Sequence, residues 1–128
     1  MNIMTKPFFL LSAMTIVCSS VLSASASAQG IDFGADIWPI FEQRCITCHG
    51  PEKQKEDLRF DDLEWLADDE LIGAGNPANS LIYELITLPE DHDDVMPSKG
   101  GKLAPAQIVL IRLWLESGGK AEGWVVPE

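Results

Sequence analysis

Apolar residues return at helical spacing in three stretches of this chain, and polar, Gly- and Pro-rich segments separate them. From Asp36, Ile37, Ile40, Phe41 and Cys45 fall on one face, which predicts an amphipathic helix with Asp36 as its N-cap and Pro39 in its first turn, where a missing N–H costs little. His49-Gly50-Pro51 should end it. Asn76-Pro77 predicts an N-cap followed by Pro at the first helical position, opening a helix that buries Leu81, Ile82, Leu85 and Ile86, exposes Asn79 and Glu84, and stops at Leu88-Pro89. The third stretch runs from Pro105 to about Ser117, with Ile108, Ile111, Trp114 and Leu115 on one stripe and Gly118-Gly119 as its stop. Ala104 is a poor N-cap, so packing must stabilise this helix.

A shorter helix is expected between the first two. Asp61-Asp62-Leu63-Glu64 resembles a capping box ahead of Leu63, Trp65 and Leu66, and the acidic Asp68-Asp69-Glu70 should end that helix by Ala67. Glu52 to Asp57 reads as a solvated loop, after which Leu58-Arg59-Phe60 returns to the interior. Gly73-Ala74-Gly75 is a turn, and Glu90 to Asp94 an exposed acidic loop. No β-alternation or internal repeat appears, so the fold class is all-α, with about four helices.

The N-terminal segment stands apart from this pattern. An apolar run from Pro7 to Leu22 follows Lys6 and leads to Ala26-Ser27-Ala28, the form of a secretory signal with an A-x-A cleavage site. Ser12, Thr15, Cys18, Ser19 and Ser20 interrupt the run, which is short for a membrane span, and Ile16-Val17 before Cys18 does not suit lipidation. Residues 1–28 are therefore expected to be a cleaved signal peptide, 29–35 a short lead-in and 36–128 the domain, in a periplasmic or otherwise exported protein with no stable membrane span after cleavage. Cleavage removes only Lys6 among the charged residues, leaving 8 basic against 20 acidic residues, a charge of −12. Such a surface excludes nucleic acid and suits a partner with a basic docking patch.

The chemistry concentrates at Cys45-Ile46-Thr47-Cys48-His49. Cys-X-X-Cys-His is the attachment pattern of c-type haem: two thiols add to the porphyrin vinyl groups and the adjacent His becomes an axial iron ligand. A zinc site is the first alternative, but only His92 is available as a further nitrogen ligand and there is no third cysteine after the signal. A thiol-disulfide centre is the second, and the βαβ context it normally occupies is missing. For the second axial position the candidates are Met96, the one methionine after the signal, in a loop between two helices, and His92, which stands between two aspartates. A Met ligand is favoured by that setting. Carboxylate pairs such as Asp61-Asp62 and Asp93-Asp94 are accounted for by capping and solvation, so no acid, base or nucleophile constellation stands beyond the haem motif.

A helix ending in the haem motif, a Met-Pro loop and a final amphipathic helix resemble a class I cytochrome c. Leu58-Arg59-Phe60-Asp61, Gly75-Asn76-Pro77 leading to Ser80-Leu81-Ile82-Tyr83, Met96-Pro97, and the stretch Ile111 to Gly118 resemble the planctomycete-type cytochrome c domain. Ser98 and Ala104 depart from that family's pattern in the distal loop. The resemblance implies one covalently bound haem c on Cys45 and Cys48, His49 and Met96 as axial ligands, and the first and last helices crossing near Phe41 and Trp114. It also implies Arg59 as a candidate haem propionate contact, with Tyr83 and Lys99 as weaker ones; a surface salt bridge is the alternative for Arg59. The expected function is an exported monohaem electron carrier between redox partners. The alternatives are a haem enzyme with an open iron site and a permanently bound subunit of a larger oxidoreductase.

Overall fold

The computed structural model describes residues 30–127, so the expected signal peptide lies outside the described residues. Four α-helices carry the fold: α1 (Trp38–Arg44), α2 (Asp69–Ile72), α3 (Leu81–Thr87) and α4 (Pro105–Glu116). Among the described residues there is no strand, only an isolated bridge between His49 and Gln54. The class is all-α, as the periodicity predicts.

The first helix begins earlier than expected. A wide π-type turn, Phe33–Ile37, leads directly into α1, and the cap is Asp32, whose carboxylate accepts the Ala35 N–H at 2.7 Å. Asp36 plays the reciprocal part, accepting the Asp32 N–H at 2.9 Å. The two aspartates thus divide between them the donors that any helix start leaves unpaired. Phe33 is consequently a core residue, and the segment expected from its lack of periodicity to be a lead-in contains the first helical turn.

Asp61 to Glu70 also departs from expectation. Asp61 is buried and paired to Arg59 rather than capping a helix, and Asp62 alone accepts the Glu64 N–H, at 2.9 Å. The chain then makes a single 3-10 turn, Trp65–Ala67, in which only Leu66 is buried; Leu63 and Trp65 remain 43% and 37% exposed. That turn ends at Ala67, as the acidic run requires. The same run then opens α2, a helix that the hydrophobic pattern does not predict: Asp68 accepts the N–H groups of Glu70 and Leu71 at 3.0 and 2.9 Å. Carboxylates that oppose a helix C-terminus stabilise an N-terminus, for the same electrostatic reason.

Asn76 caps only one 3-10 turn, Pro77–Asn79, before Ser80 starts α3. Ser80 is 1% exposed; its Oγ donates to the Leu71 carbonyl at 2.9 Å and accepts the Tyr83 N–H at 3.2 Å, joining α2 to α3. Ser80→Ala is expected to lower unfolding free energy by about 1–3 kcal/mol, through a lost cap and an unpaired buried carbonyl. A urea midpoint unchanged from wild type would contradict this.

The core sits where α1 crosses α4. Phe41 and Trp114 meet edge to face with centroids 5.8 Å apart, as the family resemblance implies, and Phe33 adds a third ring 5.4 Å from Trp114. Ile111, Trp114 and Leu115 are fully buried on the predicted stripe of α4. Its weak start is helped by Gln107, whose side-chain oxygen accepts the Ala104 N–H at 3.0 Å. α3 lies against both α2 and α4, and its buried Ile82 and Ile86 face a space left between these helices.

Candidate functional site

α1 delivers Cys45 to the edge of that space. The Cys45 N–H still bonds the Phe41 carbonyl at 2.8 Å, and the Cys45 carbonyl accepts the N–H groups of Cys48 and His49 at 3.1 and 2.9 Å. One turn of chain therefore wraps both thiols and the imidazole around a single carbonyl. Gly50 permits the close approach that ends this turn: a Cβ there would lie 2.5 Å from the Ile46 carbonyl oxygen, inside van der Waals contact.

The exposed loop after Gly50 folds back onto the motif. Gly50 N–H bonds Lys53 O, Lys55 N–H bonds Cys48 O and Phe60 N–H bonds His49 O, each at 2.9 Å. This brings the Lys55 carbonyl 3.0 Å from His49 Nδ1. A carbonyl can only accept, so Nδ1 carries the proton and the Nε2 lone pair is left free for a metal. The ring is buried and stands edge to face on Phe60, centroids 5.4 Å apart. Burial, partly offset by the Lys55 bond, lowers its pKa and keeps the imidazole neutral, the form that binds iron. Glu56 and Asp57 adopt left-handed backbone, φ 55° and 56°, a conformation costly without glycine. The loop expected to be merely solvated thus orients the imidazole. A backbone carbonyl has no side-chain signature by which the sequence could announce it.

The space beyond His49 is an apolar cavity that is open to solvent at its mouth. Phe41 and Cys45 wall it from α1, Leu85 and Ile86 from α3, and Met96 from the loop between α3 and α4. Leu71 of the unpredicted α2 and Leu103, just before α4, complete it. A more polar cleft continues the mouth, sharing Cys45, His49 and Met96 with the cavity and adding Cys48, Lys55 and Lys99. The four motif-derived candidates, Cys45, Cys48, His49 and Met96, are therefore brought to one place.

Both thiols are free, and burial pushes that of Cys45 up to about 12. The other candidates separate from the site. His92 is exposed, its Nδ1 accepting the Asp94 N–H at 3.1 Å. Arg59 lines neither cavity nor cleft but donates through Nε and Nη2 to the buried Asp61, whose carboxyl it holds below the usual range. Tyr83 lies off the cavity, and Lys99 stands at its mouth. Among the described residues, no three His, Cys, Asp or Glu side chains gather as a metal site, so the zinc alternative has no ligand set.

The donor set fits a haem. A flat apolar macrocycle matches the hydrocarbon-lined interior, a neutral imidazole and a thioether would suit its iron, and Cys45 and Cys48 at the mouth would be the residues to attach it. No curated protein and no solved structure matches this chain. The planctomycete cytochrome C family model matches residues 45–100, from the first cysteine of the motif through the loop that carries Met96. Over those residues the chain is similar to planctomycete cytochrome C domains, a likeness that supports haem binding of the c type.

Proposed function

We propose that the protein is an exported electron carrier with one haem, attached covalently through Cys45 and Cys48 and ligated axially by His49 and Met96. The observation that carries this reading is that His49 and Met96, far apart in sequence, border the same apolar cavity. Haem iron supplies one-electron chemistry by alternating between ferrous and ferric states. The chain's own part is to hold Nε2 of His49 toward the cavity, to set the Met96 thioether there, and to exclude water with its apolar walls. Met ligation raises the potential relative to bis-His ligation, and a low-dielectric shell adds to this by disfavouring the extra charge of the ferric state.

The partner is a redox protein with a basic docking patch. Glu90, Asp91, Asp93 and Asp94 are exposed on the Met96 loop and supply the matching acidic surface, interrupted at the mouth itself by Lys55 and Lys99. Export rests on the signal pattern of residues 1–28; no helix among the described residues is long and apolar enough to cross a membrane.

Replacing Met96 by Ala tests the assignment against the haem-enzyme alternative. The ferric wild type is expected to show the charge-transfer band of Met–iron ligation and the variant to lose it, becoming high-spin or taking up an added ligand. A wild type already high-spin, with Met96→Ala unchanged, would favour an open iron site and catalysis. A pyridine haemochrome assay on the periplasmic fraction tests covalent attachment and compartment together.

A further inference from the structure

The loop from Leu88 to Leu103, which brings Met96 to the cavity, has little of its own to hold it there. Its residues from Pro89 to Asp94 and from Ser98 to Gly101 are exposed, four of the former are acidic and repel one another, and Gly100 and Gly101 sit at φ 78° and 76°. Glycines in that region leave many conformations open to the unrestrained chain. The Met96 N–H is tied to the Leu85 carbonyl of α3 at 3.0 Å. The other ties come from two cationic side chains.

Arg44, the last residue of α1 and the neighbour of Cys45, reaches across the mouth. Its Nη2 donates to the carbonyls of Gly100 at 3.2 Å and Gly101 at 2.7 Å. Lys102 closes the base of the loop by donating through Nζ to the Leu88 carbonyl. In a chain with 20 acidic residues, Arg44 nonetheless spends its hydrogen bonds on backbone oxygens, and among the described residues it forms no salt bridge. A charged donor on a neutral carbonyl is a strong tether that leaves the carboxylates free for solvent.

We propose that Arg44 is a positioning residue: it clamps the Met96 loop shut against the helix end that bears the haem motif, so that both axial ligands are held on one frame. Lys102 supports the clamp from the other end of the loop. The inference rests on the His49 and Met96 ligation proposed above. An outside ligand competing with Met96 must therefore wait for the loop to open, and its apparent affinity scales with the open fraction.

The test uses the full haem-loaded protein and titration of the ferric form with imidazole, read by loss of the Met–iron charge-transfer band. Arg44→Gln is expected to tighten apparent imidazole binding by roughly tenfold, as the open fraction rises. Arg44→Lys, which can still donate to one carbonyl, should recover most of the wild-type value, and Lys102→Met should move in the same direction as Arg44→Gln. Asp32→Ala, which removes the cap of the turn Phe33–Ile37 away from the cavity, should lower the melting temperature without changing imidazole affinity, separating the clamp from general stability. Equal imidazole affinity in wild type and Arg44→Gln, with a Met96→Ala spectrum that differs from wild type, overturns the role of Arg44 alone. A Met96→Ala spectrum identical to wild type overturns the ligand assignment and the clamp with it. Should Arg44→Gln fail to accumulate, the Arg44→Lys and Lys102→Met titrations decide, wild-type affinity in Lys102→Met counting against the clamp.

Discussion

His49→Ala is expected to abolish the low-spin c-type spectrum while leaving the covalently attached haem in place. The imidazole is buried, edge-on to Phe60, and its Nδ1 is committed to the Lys55 carbonyl, so no other side chain at the cavity offers a neutral nitrogen. His92, the remaining histidine, is exposed and accepts a hydrogen bond from its own turn. Added imidazole should restore the low-spin spectrum in His49→Ala by occupying the space the side chain leaves, which distinguishes a lost ligand from a misfolded chain. An unaltered spectrum in the variant would refute the assignment. The covalent link to Cys45 and Cys48 should survive in whatever fraction matures, so the haemochrome assay and the spin-state spectrum report different losses.

Trp114→Ala is expected to cost about 3–5 kcal/mol of unfolding free energy, the range for removing a large buried aromatic side chain. Domains of this size have roughly 5–15 kcal/mol in total, so the loss takes a large share of stability. Trp114 is 0% exposed, packs against Phe33 and Phe41 where α1 crosses α4, and donates its indole N–H to the Lys120 carbonyl at 2.9 Å. The variant leaves both a cavity and an unpaired carbonyl. Urea unfolding should show a much lower midpoint at a similar slope. Trp65→Ala, by contrast, removes a side chain that is 37% exposed and should change stability by only about 0.5 kcal/mol. Equal losses in the two variants would mean that the core has been placed wrongly.

The contrast between these tryptophans shows where sequence pattern loses its power. Trp114 recurs with Ile111 and Leu115 along a helix long enough for the periodicity to identify the buried face, and all three are fully buried. Trp65 lies in a stretch too short for a period to tell a buried face from an exposed one, and the fold leaves it 37% exposed. The same shortness concealed α2, a single turn whose signal is one capping aspartate, Asp68, set among other acids. Leu71, carried by that turn, became a wall of the cavity that no local pattern predicted.

By itself the sequence determined the features set within a turn or two of chain: the spacing of Cys45, Cys48 and His49, the breaks at Leu88 and Gly118, the buried stripe of α4 and the choice of Met96 as candidate ligand, whereas α1 ends at Arg44, short of the stop expected at His49-Gly50-Pro51. These depend on residue type and short-range geometry. Tertiary structure decided that the Lys55 carbonyl orients His49, that Leu71 and Leu103 complete the apolar wall, and that Arg44 reaches Gly100 and Gly101. Such contacts depend on how separate segments meet, and several are made to backbone carbonyls, which every residue possesses and none advertises.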